Sequence, residues 1–324
     1  MCHHTVTVEK LLSHTEQANA KVLITGATGF IGRRLVDALV AEGIPIRCLV
    51  RRSEVAFPPQ AEVVQGDLLQ RNSLLAPLRG IETAYYLVHA MGGERAGFEQ
   101  RDRQAAENFV AAAEMQGVKR VIYLGGLGEE GDQLSEHLAS RLEVARILQR
   151  GAFQTTYLRA AVIIGAGGAS FEMIRYLVER LPVMITPRWV STRCQFIAVQ
   201  DVIAYLVGCL KDARTAGHTY DIGGPELLSY RDMMERFAEV EKKFIKIIPV
   251  PFLTPKLSSY WVWLITPVKP SISMPLIEGL GNEVICHDQE IRKILPIPLT
   301  GFDEAVRRAL EEEAGQGQGD TGTT

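Results

Sequence analysis

The chain predicts an α/β fold, a doubly wound parallel sheet followed by a smaller C-terminal region, and three observations carry that prediction. Short apolar runs alternate with helically spaced apolar residues from Lys21 to about Gly165. A glycine-rich turn joins the first such pair. Past Gly165 the alternation lapses, and prolines gather at Pro249, Pro251, Pro255, Pro267, Pro270 and Pro275. Strands separated by helices are joined by crossovers rather than hairpins, which favours parallel pairing.

The elements follow in order. Lys21-Val22-Leu23-Ile24 is an apolar strand ending in Thr25-Gly26, and Leu35, Val36, Leu39 and Val40 then recur at helical spacing. Ile44 to Val50, Glu62 to Gln65, Thr83 to Val88 and Arg120 to Leu124 read as the next four strands. A helix from Phe98 to Gln116 stops near Gly117, the usual kind of helix exit. Another runs from about Leu134 to Gln149, with Leu138, Leu142, Ala145 and Leu148 on one face, and leads past Gly151 into a strand over Thr155 to Arg159. Four regions result: a polar leader (1–20), the alternating region (21–165), a C-terminal region that completes the sheet and forms a lid (166–310), and an acidic, Gly/Gln-rich tail expected to be disordered (311–324).

Composition removes several classes. At 324 residues the chain exceeds a typical domain of about 150 and can bury one large core or two modest ones. With 35 Lys and Arg against 38 Asp and Glu the net charge is −3, so no general basic field exists to hold nucleic acid. The five cysteines are scattered, with no C-x-x-C pair and no ligand spacing, which points to reduced thiols in a cytoplasmic protein and to no metal site. The first twenty residues lack the apolar core of a secretion signal. No run of about 18 apolar residues supports a transmembrane helix.

Gly26-Ala27-Thr28-Gly29-Phe30-Ile31-Gly32 lies between the first strand and first helix. There glycines let the turn approach a pyrophosphate, and the helix N-terminus offers it N–H donors. That placement makes the sheet Rossmann-type and the expected ligand a dinucleotide. The second strand ends in Arg51-Arg52, with no carboxylate until Glu54, and a guanidinium suits the 2′-phosphate. NADP(H) is therefore expected over NAD(H), with Arg33 and Arg34 adding to the positive field.

Thr25 to Gly32, Gly66-Asp67-Leu68, Leu87-Val88-His89, Phe196 to Val202, and Tyr220 to Glu226 with Tyr230 resemble the extended and atypical short-chain dehydrogenases/reductases. Within that superfamily the chain is most similar to the NmrA-like NAD(P)-binding branch, over roughly Lys21 to Leu310. The resemblance implies that Asp67 and Leu68 meet the adenine and that Val88 and His89 line the nicotinamide-side ribose. It also implies an oxidoreductase or isomerase acting on an apolar small molecule, or alternatively a non-catalytic NADP(H) sensor, regulator or assembly factor. Reductases of the family use a Tyr-x-x-x-Lys and a Ser at the end of the fifth strand. This chain departs at each place: Gly125-Gly126 ends the strand, and the helix carries His137-Leu138-Ala139-Ser140-Arg141. His137 and Arg141 share one helix face, as an acid/base and an anchoring cation would.

The substrate side is expected beyond the sixth strand, with Arg159, Phe171, Arg188, Trp189 and Gln195 as candidate wall residues. Leu257 to Val268, with Tyr260, Trp261 and Trp263, could line an apolar pocket, touch a membrane surface or form a dimer contact, though core packing is the commonest role for such a cluster. The cluster itself contains no cation, Lys256 lying just before it, which argues against electrostatic membrane anchoring. A monomer and a homodimer both fit.

Overall fold

The computed structural model describes residues 21–52, 55–89, 97–128, 136–250 and 283–319. The leader, Glu54, Lys256 and the cluster from Leu257 to Val268 lie outside the described residues.

The fold is α/β. Seven strands form one sheet: β1 (Val22–Thr25), β2 (Ile46–Val50), β3 (Ala61–Gln65), β4 (Thr83–Tyr86), β5 (Arg120–Gly126), β6 (Gln154–Ala160) and β11 (Thr219–Ile222). Their order is β11-β6-β5-β4-β1-β2-β3, and every neighbouring pair is parallel. Burial on both faces explains why β1 reads as an unbroken apolar run. On one face Val22, Ile24, Tyr85, Ile122 and Leu158 pack against α1 (Phe30–Ala41) and α6 (Val199–Lys211). On the other, Leu23, Ala84, Tyr86, Val121 and Tyr123 meet α2 (Arg71–Leu78), α3 (Phe98–Met115) and α4 (Glu136–Gln149). Successive residues of one strand thus serve opposite layers, the period-two rule of a pleated sheet.

The remaining elements are short strands β7 (Ile163–Ile164), β8 (Val183–Thr186), β9 (Arg193–Cys194), β10 (Ile197–Ala198), β12 (Leu228–Ser229) and β13 (Lys246–Pro249), with helices α5 (Ala169–Arg180), α7 (Tyr230–Val240), α8 (Glu290–Ile294) and α9 (Phe302–Gly319). The C-terminal region both contributes β11 and α6 to the main sheet and encloses a core of its own. Phe171, Phe196, Met233, Phe237, Phe302 and Val306 are buried there together, and the Phe196 and Phe302 rings meet edge-on at 5.1 Å. No described helix is long and apolar enough to cross a membrane.

The tail departs from its expected disorder. Helix α9 continues to Gly319, because Arg34 of α1 pairs with Glu312 and Arg175 of α5 stands 3.4 Å from Glu313. Composition alone contains no trace of those partners. Residues 320–324 lie outside the described part. The described cysteines, Cys48, Cys194, Cys209 and Cys286, are buried and unpaired with one another, and burial pushes the Cys48 thiol up to about 12.

Candidate functional site

The carboxyl ends of β4, β1, β2 and β3 open into a cavity of about 490 Å³. Its wall includes Gly26, Thr28, Gly29, Arg51, Asp67, Leu68, Val88 and His89, brought together from four separate turns. Ala27, Phe30, Ile31 and Gly32 support the first turn from behind rather than lining the cavity. The Phe30 ring, for example, sits beneath the Arg34 guanidinium at 4.6 Å.

Thr25 fastens the mouth. Its Oγ1 donates to the Tyr85 carbonyl at 3.0 Å and accepts from the Leu87 N–H at 3.1 Å, so the exits of β1 and β4 are held together. Gly26 then turns with φ +68°, and a Cβ there would stand 2.6 Å from the Leu87 carbonyl oxygen. At Gly32 a Cβ would come within 2.1 Å of the Gly26 oxygen, so only glycine lets α1 start this close to the turn. The N-cap Gly29 supplies no side-chain cap, and the first turn of α1 carries no acidic residue. The helix N-terminus keeps its donors and its positive end for an anion.

At the exit of β3, Asp67 is held in a tight turn. Its Oδ1 accepts from the Leu69 N–H at 2.9 Å, its own N–H donates to Ser73 Oγ at 2.9 Å, and Asn108 Nδ2 donates to the Leu68 carbonyl at 2.8 Å. Gln65 Nε2 donates to the Arg51 carbonyl at 3.0 Å, so β3 steadies the turn that carries Arg51. The other expected arginines are placed differently. Arg52 is exposed and outside the lining. Arg33 Nε donates to the Thr28 carbonyl at 3.1 Å, and Arg34 is committed to Phe30, Ala166 and Glu312. Of Arg33, Arg34, Arg51 and Arg52, Arg51 lines the cavity, and the helix turns Arg34 towards the C-terminal region.

At the other end, His89 lies 6.0 Å from the Tyr123 ring, which stacks on Tyr157 at 5.1 Å. Tyr123 Oη donates to the Arg141 carbonyl at 3.2 Å and Tyr157 Oη to the Gly126 carbonyl at 3.3 Å. Burial, reinforced by Tyr157, holds the Tyr123 phenol well above its ordinary range. A Cβ at position 125 would stand 2.7 Å from the Tyr157 ring and 2.9 Å from that of Tyr123, so this tyrosine stack leaves no room for the family's serine. Arg141 packs along Gly126, where an added Cβ would lie 3.4 Å from its Cδ. His137 stands one turn earlier on α4, and its side chain lies outside the described residues.

Arg101, Asp102 and Ala105 of α3 also line the cavity, and motif reading missed them. The Asp102 carboxylate is buried and accepts from Ser140 Oγ at 3.2 Å. The available signal was a charged residue on an apolar stripe, since Asp102, Ala105, Ala106 and Phe109 recur at i, i+3, i+4 and i+7.

A second cavity of about 270 Å³ opens beyond β5, β6 and β11, lined by Leu127, Gly128, Arg159, Asp221, Glu283, Val284, Ile285 and His287. Of the expected substrate residues it contains only Arg159. Phe171 is fully buried in the C-terminal core, 5.8 Å from the Phe237 ring, because the apolar stripe of α5 faces α7. Gln195 is a buried strut: its Nε2 donates to the Gly224 carbonyl at 2.8 Å, and its Oε1 accepts from the Cys286 N–H at 3.0 Å. Arg188 and Trp189 form a 3₁₀ turn whose two leading side chains lie outside the described residues.

A family model described as NAD(P)H-binding matches residues 26–167. The ceramide reductase of Caulobacter vibrioides is 31% identical over 220 residues, covering 63% of this chain and 68% of that protein. This chain belongs to the NAD(P)H-binding atypical short-chain dehydrogenases/reductases. Among its relatives, the mitochondrial NADH dehydrogenase [ubiquinone] 1 alpha subcomplex subunit 9 of Arabidopsis thaliana is 25% identical over 242 residues. The match covers 71% of this chain and 60% of that subunit's length. An NADPH-dependent quinone oxidoreductase from Escherichia coli shares the fold, with a TM-score of 0.71 at 17% identity over 89% of this chain and 99% of that one. Where the resemblance implies a serine and a tyrosine, β5 of this chain ends in Gly125-Gly126 and α4 carries His137 and Arg141.

Proposed function

We propose that this protein is an NADP(H)-dependent oxidoreductase acting on a largely apolar small molecule. The observation that carries the reading is the continuous wall from Arg51 and Asp67, past the uncapped N-terminus of α1, to His89, beside a second cavity on the same edge of the sheet. The first cavity suits the dinucleotide: Gly26 and Gly29 admit the pyrophosphate, Asp67 and Leu68 flank the adenine, Arg51 meets the 2′-phosphate, and Val88 and His89 border the nicotinamide ribose. When bound, the cofactor supplies the hydride. The names of two relatives, a reductase and an NADPH-dependent quinone oxidoreductase, support this reading.

The chain's own residues supply position and protons. Arg141, always charged, anchors ribose or phosphate from α4, and His137, one turn before it, exchanges the proton with the substrate oxygen. The tyrosine hydroxyls are poor candidates for that role, because both are buried and donate to backbone carbonyls.

Fluorescence titration with NADPH and NADH tests the cofactor assignment, and NADPH is expected to bind about ten-fold more tightly. Equal affinities would overturn the NADP(H) preference, and no saturation by either would overturn the reading as a whole. His137→Ala is expected to lose turnover and keep cofactor affinity, whereas Arg141→Ala weakens cofactor binding. A second reading, a non-catalytic NADP(H)-binding sensor or assembly factor, is favoured by the tyrosine stack that displaces the catalytic serine. NADPH binding without oxidation across quinones, enones and aldehydes would select it.

A further inference from the structure

The cavity beyond β5, β6 and β11 carries charge in pairs, and that pairing selects what it can hold. Arg159 directs Nε and Nη2 at Asp221 Oδ1, at 2.7 and 2.6 Å. The Asp221 side chain is 1% exposed, and its Oδ2 accepts the His287 N–H at 3.2 Å. The pair is therefore neutralised in place and anchored by the backbone. Glu283, at the rim, is matched by Arg193, whose Nε and Nη2 donate to it at 2.8 and 3.2 Å.

A carboxylate or phosphate entering this space would lose its water and face Asp221 and Glu283, with no unpaired arginine or lysine among the described lining residues to compensate it. A cationic group would meet the Arg159 guanidinium. The ion pair leaves Arg159 Nη1 as the uncommitted donor on a guanidinium whose orientation is locked and whose side chain is 28% exposed. Such a donor asks for an acceptor rather than a counter-ion. Leu127, Val284 and Ile285 supply apolar wall, and about 270 Å³ admits a group of one or two rings.

We infer that this cavity takes an uncharged, oxygen-bearing end of the substrate, the carbonyl or hydroxyl of a cyclic ketone, quinone or alcohol, on Arg159 Nη1, and rejects carboxylates, phosphates and ammonium groups. The inference deepens the oxidoreductase reading and rests on it for the identity of the neighbouring cleft.

Three probes of matched shape and different charge test it: 1-indanone, indane-1-carboxylate and 1-aminoindane. Each is titrated into the full-length protein saturated with NADP⁺ and followed by saturation-transfer NMR. The ketone is expected to bind about ten-fold more tightly than either charged probe. Arg159→Met combined with Asp221→Leu removes both charges together, strands neither, and is expected to weaken 1-indanone by about ten-fold. Gly128→Leu fills the cavity while keeping both charged residues, and is expected to abolish 1-indanone binding. Tighter binding of a charged probe, an unchanged 1-indanone affinity in the double variant, or no saturable 1-indanone binding would each overturn the assignment. A parallel NADPH titration keeps the two readings apart, because failure there removes the cofactor cleft while the probe ranking still judges the cavity.

Discussion

The cavity on the β4-β1-β2-β3 side takes its walls chiefly from the short turns that follow its own strands, whereas the cavity on the β5-β6-β11 side gathers Leu127, Arg159, Asp221 and His287 from points far apart in the chain. The first is a local product, in which a glycine turn and a helix start suffice to make an anion site. The second exists only when the C-terminal region returns to the sheet through β11 and the Glu283–His287 segment crosses beside it. Chemistry shared across a superfamily can be stored in local turns, and chemistry that differs between members in long-range assembly.

The largest test of that division is Phe171→Ala. Phe171 is fully buried in the C-terminal core, and its truncation is expected to cost about 3–5 kcal/mol in denaturant unfolding. NADPH affinity should stay within about two-fold of the parent's. If cofactor affinity falls in step with stability, the two regions are one unit and the division fails. Gly32→Ala is expected to act the other way, costing about 1–3 kcal/mol through overpacking while abolishing NADPH binding, because its Cβ would lie 2.1 Å from the Gly26 oxygen. Arg51→Gln should weaken NADPH by about ten-fold and leave NADH unchanged in the same titration. Equal weakening of both would move the 2′-phosphate elsewhere.

The smallest expected effect is electrostatic and lies inside the C-terminal region, where α9 meets α5. Burial raises the Glu313 carboxyl from its ordinary 4.5 to about 7, helped by hydrogen bonding to Glu172 and by repulsion from Glu172 and Glu179, against the attraction of Arg175. A carboxyl with a higher pKa in the folded state holds an extra proton there, so its contribution to stability is lost as pH rises from near 4.5 through about 7. Thermal unfolding of the parent should weaken across that window. Glu313→Gln, which stays uncharged, should flatten this part of the profile; an unchanged slope would show that α9 is not held through this cluster.

Sequence patterning predicted much of the first region's outline. The helix expected over Phe98 to Gln116 spans Phe98–Met115, and the strand expected over Arg120 to Leu124 spans Arg120–Gly126, because strict periodicity and a glycine stop are local signals. Arg34 was misread for the complementary reason. Its position after a glycine turn resembles a phosphate contact, and only the return of α9 shows that its charge is used by Glu312. Phe171 was misread in the same way, since an aromatic on an amphipathic helix faces a pocket or a core according to what packs on it. The tail shows the same limit, for its composition suggests disorder while two arginines from distant helices hold it.

The sequence by itself determined the alternating α/β plan, the glycine turn and the arginine after β2, because those depend on backbone conformation and on residues a few positions apart. Tertiary structure alone decided that Gly125 must stay small beneath two stacked tyrosines, that the C-terminal region has its own core, and that Arg159 and Asp221 face one cavity as a pair. Each of those depends on contacts between segments tens of residues apart, and no local pattern encodes which distant side chain arrives.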